Sequence, residues 1–119
     1  MDLNVLIVED DVVFCKLLTK FLKNNGINTK DAQNAKDAKT LLKQENFDFV
    51  VIDNKLPDED GIDVLKWLSS QNSTTKKLLM SRFEDERIIQ QASDIGVLRF
   101  MKKPIKPAEL LTLLHQLKD

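Results

Sequence analysis

Residues 5–11, VLIVEDD, carry the clearest indication of the fold, because four consecutive apolar residues are followed at once by three carboxylates. A continuous apolar run of this length is typical of a strand that is covered on both faces, as in a parallel sheet. A second, largely apolar run, Phe47 to Ile52, ends in the same way at Asp53. The two runs predict central parallel strands whose carboxyl ends carry acidic side chains.

Five strand candidates alternate with five helical segments along the chain. The strands are predicted at residues 5–8, 27–30, 47–52, 78–80 and 97–101. Apolar residues recur at helical spacing after each strand, within residues 14–22, 35–42, 62–68, 88–95 and 107–117. Parallel strands need crossover connections, which are overwhelmingly right-handed. The sequence therefore predicts the α/β class, with a doubly wound (βα)5 fold and helices on both faces of a five-stranded parallel sheet.

The polarity of the strands indicates their order in this sheet. The second strand, Ile27 to Lys30, is the most polar and fits an edge, whereas the first and third strands fit the centre. These preferences favour the order 2-1-3-4-5, whose switch point lies between strands one and three. Ligands of open α/β sheets bind at such a point, and there the chain carries Glu9, Asp10, Asp11 and Asp53.

Length and composition indicate one domain over residues 1–119, with no output domain in this chain. With 42% hydrophobic and 31% charged residues, 119 residues suffice to build one core. The single cysteine, Cys15, excludes a disulfide framework and fits a reducing compartment. A formal net charge of -1 offers no basic field for nucleic acid, and no run of about 18 apolar residues could span a membrane. We therefore predict a cytoplasmic domain without direct nucleic acid binding or membrane insertion.

Carboxylates gathered at one crevice repel each other, and they stay ionised only if a cation offsets their charge. Mg²⁺ is the favoured cation, because it prefers oxygen ligands and commonly binds one or two carboxylates together with phosphate oxygens. The alternative is that Glu9, Asp10 and Asp11 only cap the first helix, whose amino terminus favours acids. Capping is the simplest role for Asp11, which we leave outside the metal set.

A set of polar residues separates these alternatives, because each of them follows a predicted strand: Glu9-Asp10, Asp53, Ser81 and Lys103. With this set, the chain closely resembles the receiver domain of bacterial two-component response regulators, a fold with the flavodoxin-like strand order. The resemblance covers nearly the whole chain. It is carried by LIVEDD at residues 6–11, VIDNKLP at residues 51–57, Asp60-Gly61 and Lys103-Pro104.

The resemblance implies a phosphoacceptor site. It makes Asp53 the nucleophile that takes a phosphoryl group as an aspartyl phosphate. It implies that Mg²⁺ is bound directly by Asp10, through water by Glu9, and also by Asp53 and the backbone carbonyl of Lys55. Lys103 would pair first with the aspartate and then with the phosphoryl oxygens, as a point charge.

The resemblance also implies a switch. Ser81 matches the hydroxyl residue that donates to the phosphoryl group, and Phe100 matches the aromatic residue that turns inward when that hydroxyl moves. Pro104 is the candidate for a cis proline after the site lysine. The output would be a changed face formed by the fourth helix, the fifth strand and the fifth helix, to which partners would bind.

Arg82 and Phe83 depart from the family pattern, which usually has a small Ala or Gly after the switch hydroxyl. Two interpretations stay open: Arg82 donates to the phosphate, or its side chain turns to solvent while Phe83 and Lys55 restrict the attacking water. On the second interpretation the phosphorylated form is long-lived, because Lys55 and Phe83 occupy the positions that tune hydrolysis in the family.

The function that the resemblance implies is a signalling switch that catalyses its own aspartyl phosphorylation and dephosphorylation, and not a metabolic enzyme. The donor would be a phosphohistidine on a sensor histidine kinase or on a histidine phosphotransfer protein. The downstream partner would be a separate protein, or an effector domain if this receiver was excised from a longer chain; phosphorylation-dependent homodimerisation stays open. The alternative is a pseudo-receiver that acts as an unphosphorylated interaction module. An enzyme or flavin carrier is disfavoured, because the chain lacks a Gly-rich phosphate loop.

Overall fold

Five parallel strands and five helices alternate in the computed structural model, which describes residues 2–119. The strands are β1 Asn4–Val8, β2 Asn28–Ala32, β3 Phe49–Asp53, β4 Lys76–Ser81 and β5 Arg99–Lys102. The helices are α1 Val12–Asn24, α2 Ala35–Gln44, α3 Gly61–Ser69, α4 Glu86–Asp94 and α5 Pro107–Leu117. Within the described residues, no helix is both long and apolar enough to cross a membrane.

The strand order is β2-β1-β3-β4-β5, and neighbouring strands are parallel throughout this sheet. The predicted fold class and strand order are therefore confirmed. Val8, the last residue of β1, pairs with Ala32 on one side and with Ile52 on the other. This register places the ends of β1 and β3 side by side, so that the residues after them open onto one crevice at the switch point.

The ends of β3 and β5 differ from the prediction. β3 begins at Phe49 instead of Phe47, and β5 begins at Arg99 instead of Val97. Val97 closes the end of α4 instead, because its N–H donates to the carbonyl of Ala92 at 2.9 Å. The run of β-type residues therefore overstated the length of β5 by including a residue that caps a helix.

The central strands supply two apolar layers, one on each face of the sheet. Leu6 and Val50 pack towards α2, α3 and α4, whereas Ile7 and Val51 pack towards α1 and α5, and all four are fully buried. Burying a Val, Leu or Ile side chain stabilises a fold by about 1.5–3 kcal/mol. Because both faces are covered, the ends of the strands are where polar side chains can gather.

Capping residues fix the ends of the helices. Asp11 Oδ1 accepts a hydrogen bond from the N–H of Phe14 at 3.1 Å and so caps α1, the role predicted for it. Asn34 caps α2 in the same way. Gly26 and Gly96, with φ of 81° and 79°, follow the ends of α1 and α4, where the left-handed backbone favours glycine.

Candidate functional site

The predicted site residues at the ends of four strands line one cleft of about 590 Å³. Glu9 follows β1, Asp53 ends β3, Ser81 ends β4, and Lys103 follows β5. The cleft is lined by Glu9, Asp10, Asp11, Asp53, Asn54, Lys55, Asp60, Ser81, Arg82, Phe83, Asp85, Ile88 and Lys103. The topology thus brings together side chains that lie up to 94 positions apart in the sequence.

Lys103 is the cation at the centre of the cleft. Its Nζ donates to Oδ2 of Asp53 at 2.8 Å and also to Oε1 of Glu9. The side chain of Lys103 is 9% exposed, and those of Glu9 and Asp53 are 0% and 7% exposed. Charge-assisted hydrogen bonds between groups so far removed from water are stronger than neutral ones. One ammonium therefore pairs with two buried carboxylates and can offset the charge of only one of them.

Burial and hydrogen bonding shift the pKa values of Glu9 and Lys103. It raises the pKa of Glu9 to about 7, because the hydrogen bond from Lys103, which favours the charged form, only partly offsets desolvation, and the neighbouring Asp53 raises the value further. Burial alone would lower the pKa of Lys103, but its hydrogen bonds to Asp53 and Glu9 outweigh that effect and raise it. The Lys103 ammonium therefore stays charged at neutral pH, whereas burial disfavours the charged form of Glu9.

Three carboxylates of the cleft lie close enough to hold one metal ion. Carboxylate oxygens of Glu9, Asp10 and Asp53 all lie within 4.8 Å of one another. Glu9 and Asp53 are buried, whereas Asp10 is exposed, which leaves room for water ligands beside it. A set of hard oxygen donors that is open to water on one side fits Mg²⁺. Asp11, already engaged as the cap of α1, is not in this group.

The loop between β3 and α3 wraps around the end of β3, where Asp53 lies. The N–H of Lys55 donates to Oδ1 of Asp53 at 3.2 Å, so the two carboxylate oxygens of Asp53 have different partners. Lys55 also forms an isolated antiparallel bridge with Asp60, which closes the loop on itself. The Lys55 side chain is exposed at the mouth of the cleft. The backbone of Lys55 thus lies beside Asp53, and its side chain extends towards solvent.

Asn54 and Gly61 position this loop, and no role was predicted for Asn54. The carbonyl of Asn54 accepts from the N–H of Gly61 at 2.8 Å, and its Oδ1 accepts from the N–H of Ile62 at 3.0 Å. A Cβ atom on Gly61 would collide with the carbonyl oxygen of Asp53 and lie 2.9 Å from its carbonyl carbon. The Asp60-Gly61 turn was therefore recognisable, but the close approach that requires glycine was not.

Asp58 ties the tip of the same loop to another helix. Its Oδ1 and Oδ2 accept from the N–H groups of Ala35 and Lys36, at 2.8 Å and 3.0 Å, at the start of α2. The hydrogen bond from Ala35 is the main reason that the pKa of Asp58 is lowered. Next to it, Glu59 pairs with Lys39 at 2.8 Å. No local sequence signal points to this tether, because the partners lie 22 and 23 residues apart.

The residues predicted to act as the switch and to tune hydrolysis are only partly gathered at the cleft. Ser81 Oγ accepts from the N–H of Phe83 at 3.2 Å, and the carbonyl of Ser81 accepts from the N–H of Lys103 at 2.8 Å. The Phe83 side chain is 76% exposed. Phe100 does not line the cleft; it is half-buried and packs against the core layer that faces α2, α3 and α4.

The remaining sequence-predicted residues are Arg82, which lines the cleft, and Pro104, which follows Lys103. Arg82 is exposed, and within residues 2–119 its side chain makes no hydrogen bond or salt bridge. The peptide bond between Lys103 and Pro104 is cis.

The fold is thus a doubly wound parallel sheet whose cleft holds a lysine and three carboxylates that lie close enough together to bind a cation. Residues 5–115 match the family model described as the response regulator receiver domain. The chain therefore belongs to the response regulator receiver domain family. Receiver domains are signalling domains, and the family interacts with histidine kinases and effector domains.

Individual relatives agree with this assignment. A cyclic di-GMP phosphodiesterase of Thermotoga maritima is 32% identical over 111 residues, which are 93% of this chain and 29% of that protein. The receiver domain of Francisella response regulator 1452 is 29% identical with a TM-score of 0.90, covering 98% of this chain and 96% of that one. A CheY-like receiver domain protein of Methanospirillum hungatei has a TM-score of 0.95 at 23% identity, covering 100% and 95%, and shares the fold. The chain spans less than half the length of the curated relatives it matches.

Proposed function

We propose that this chain is a phosphoacceptor signalling switch in which Asp53 takes a phosphoryl group from a phosphohistidine. The observation that carries the proposal is the contact of Asp53 with Lys103 beside Glu9 and Asp10. A carboxylate nucleophile, a fixed ammonium and a cation site meet there in one cleft. Phosphoryl transfer needs little more than alignment and charge compensation of this kind.

The chemistry follows from the partners of Asp53. A carboxylate oxygen of Asp53 forms the new O–P bond while the P–N bond of the phosphohistidine breaks, and the electron pair of that bond stays on the imidazole nitrogen. The Lys103 ammonium, now on Asp53 Oδ2, would move its hydrogen bond to a phosphoryl oxygen. Glu9, Asp10, Asp53 and the Lys55 carbonyl would hold Mg²⁺. When bound, this ion offsets the charge on the phosphoryl oxygens.

Ser81 and Phe100 would carry the signal away from the cleft. The Ser81 hydroxyl accepts from the N–H of Phe83, which leaves its own proton free to donate to a phosphoryl oxygen. Phosphorylation would favour the state in which Ser81 makes that bond and Phe100 turns inward, and so change the α4-β5-α5 face. Arg82, Phe83 and Lys55 surround the mouth of the cleft, where they would tune the lifetime of the phosphoryl group.

The proposal includes partners and setting. The phosphodonor would be a sensor histidine kinase or a histidine phosphotransfer protein, and the reader of the α4-β5-α5 face a downstream protein or an effector domain. Residues 1–119 would act as one receiver domain in the cytoplasm. Its only chemistry would be its own phosphorylation and dephosphorylation.

The test is the intact mass of the protein after incubation with Mg²⁺ and acetyl phosphate. Wild type should gain one phosphoryl group, and Asp53→Asn should gain none. Asp60→Asn is the matched control, because Asp60 lines the same cleft without capping α3 through its side chain; this variant should still be phosphorylated. Folded wild-type protein that gains no phosphoryl group would contradict the proposal and favour an unphosphorylated interaction module.

A further inference from the structure

A second cleft, of about 490 Å³, adjoins the carboxylate cleft. It is lined by Asp11, Phe14, Arg82, Lys103 and Pro104. Asp11, Arg82 and Lys103 line both clefts, so the two spaces meet at these side chains. A volume of this size lies within the range of about 300–1,000 Å³ that is typical of small-molecule sites. A molecule that reacts at Asp53 can therefore extend from the first cleft into the second.

Arg82 supplies the uncompensated positive charge of this second cleft. Lys103 is already hydrogen-bonded to Asp53 and Glu9. The Asp11 carboxylate is engaged at the start of α1. Among residues 2–119, by contrast, Arg82 has no hydrogen-bond or salt-bridge partner for its exposed guanidinium. Its charge is thus available to a bound anion.

The acidic lining of the first cleft gives a reason for the positive charge of Arg82 in the second cleft. The first cleft is lined by more acidic than basic side chains, so an anionic phosphodonor meets a repulsive field as it approaches. A guanidinium can bind a carboxylate through two parallel hydrogen bonds. Phe14 and Pro104 line the same cleft as Arg82, so part of its wall is apolar.

We propose that the second cleft is a leaving-group subsite in which Arg82 binds the carboxylate released from an acyl phosphate donor. The inference rests on the proposed function, in which Asp53 accepts the phosphoryl group. An Asp53 oxygen forms the new O–P bond while the P–O bond to the acyl group breaks. The electron pair of the broken bond stays on the acyl oxygen, which leaves as a carboxylate, and no proton is transferred.

Arg82 therefore selects donors by the charge of their leaving group. It stabilises the negative charge that develops on a departing carboxylate, and it has no such effect on a neutral leaving group. If Arg82 bound the phosphoryl group instead, it would favour every donor equally, since the transferred group is the same. The two roles therefore differ in how Arg82 changes the ratio of the phosphorylation rates with the two kinds of donor.

The experiment compares second-order rates of phosphorylation by acetyl phosphate, which releases acetate, and by phosphoramidate, which releases neutral ammonia. Arg82→Gln should slow the reaction with acetyl phosphate at least about tenfold, as for loss of a charge-assisted hydrogen bond, and change the phosphoramidate rate less than about twofold. Arg82→Lys keeps the charge and should recover part of the rate. Arg87→Gln is the control, because Arg87 is also exposed but lines neither cleft; both rates should be unchanged.

Equal slowing with both donors would overturn the inference, because Arg82 would then act on the phosphoryl group. Unchanged rates in Arg82→Gln would overturn it as well, because the subsite would have no function. Failure of the proposed function is distinguishable from either result, since wild-type protein would then accept a phosphoryl group from neither donor.

Discussion

The ammonium of Lys103 lies 2.8 Å from Oδ2 of Asp53 and donates to Glu9 at the same time. The two carboxylates follow neighbouring central strands, and the lysine follows the edge strand β5. A buried charge is tolerated when it is paired, but it is costly when its partner is removed. The stability of the acidic cleft therefore depends on Lys103 while no metal ion is bound.

Replacing Lys103 should accordingly destabilise the metal-free protein. Lys103→Met should lower the free energy of unfolding by about 3 kcal/mol at neutral pH, because it leaves Asp53 and Glu9 without their cation. Urea unfolding in the absence of Mg²⁺ measures this change. The control is Lys102→Met, whose side chain is 60% exposed and which should change stability by less than about 0.5 kcal/mol. An equal loss of unfolding free energy in the two variants would show that Lys103 does not stabilise the protein by pairing with Asp53 and Glu9.

Mg²⁺ should raise the Tm of the wild-type protein, because an ion that binds only the folded state stabilises it. At a concentration 100 times its Kd, this stabilisation is about 2.7 kcal/mol. Asp10→Asn removes the exposed member of the carboxylate group and should lose most of the shift. Asp60→Asn removes a carboxylate that lies outside that group and should keep it. Thermal unfolding followed by circular dichroism decides between these expectations, and equal shifts in the two variants would count against the metal site.

Asp58 should make stability depend on pH in the acid range. The pKa of Asp58 is lowered by its hydrogen bonds from Ala35 and Lys36, so its stabilisation is present above the unfolded value of 3.8. This stabilisation is lost as pH falls through the folded pKa. Asp58→Asn should thus be less stable than wild type at pH 7 and approach it as pH falls below 3.8.

Urea unfolding of wild type and Asp58→Asn at pH values across this range measures how their difference in unfolding free energy depends on pH. Asp60→Asn, with no side-chain capping bond, is the matched control and should follow the wild-type curve. A deficit in Asp58→Asn that stays constant from neutral to acid pH would show that the carboxylate charge is not what holds the loop to α2.

Gly61 should be the glycine least tolerant of a side chain. Gly61→Ala forces a Cβ atom into the backbone of Asp53, and overpacking of this kind typically costs about 1–3 kcal/mol. It should also slow phosphorylation of Asp53, because relief of the clash has to move that backbone. Gly26→Asn is the comparison, since Gly26 has open space around it and asparagine tolerates its positive φ. Urea unfolding and the phosphorylation rate should both rank Gly61→Ala as the more damaged protein.

Much of the architecture is predictable because it depends on local patterns. Continuous apolar runs mark β1 and β3, and the polar second strand does lie at an edge. The carboxyl-end residues Glu9, Asp53 and Lys103 come together because strands of a parallel sheet end at the same edge. The cap formed by Asp11 is likewise a local signal that the structure confirms.

The contacts that position the loop between β3 and α3 could not be predicted, because they join residues that no periodicity relates. Asn54 binds the start of α3, and Asp58 binds the start of α2, through backbone N–H groups that carry no sequence information. The hydrogen bond from Lys103 to Glu9 also depends on where the loop after β5 passes over the sheet. Side-chain burial at Phe100 is set by packing in three dimensions and not by the strand pattern.

The position of the phosphoryl group on the chain shows directly whether Asp53 is the phosphoacceptor. Borohydride reduces an aspartyl phosphate to homoserine, so peptide mass spectrometry of phosphorylated and reduced protein identifies the modified residue. We expect homoserine at position 53 in wild type after incubation with Mg²⁺ and a phosphohistidine donor. Homoserine at Asp10 or Asp60, or none in protein that is folded, would contradict this expectation.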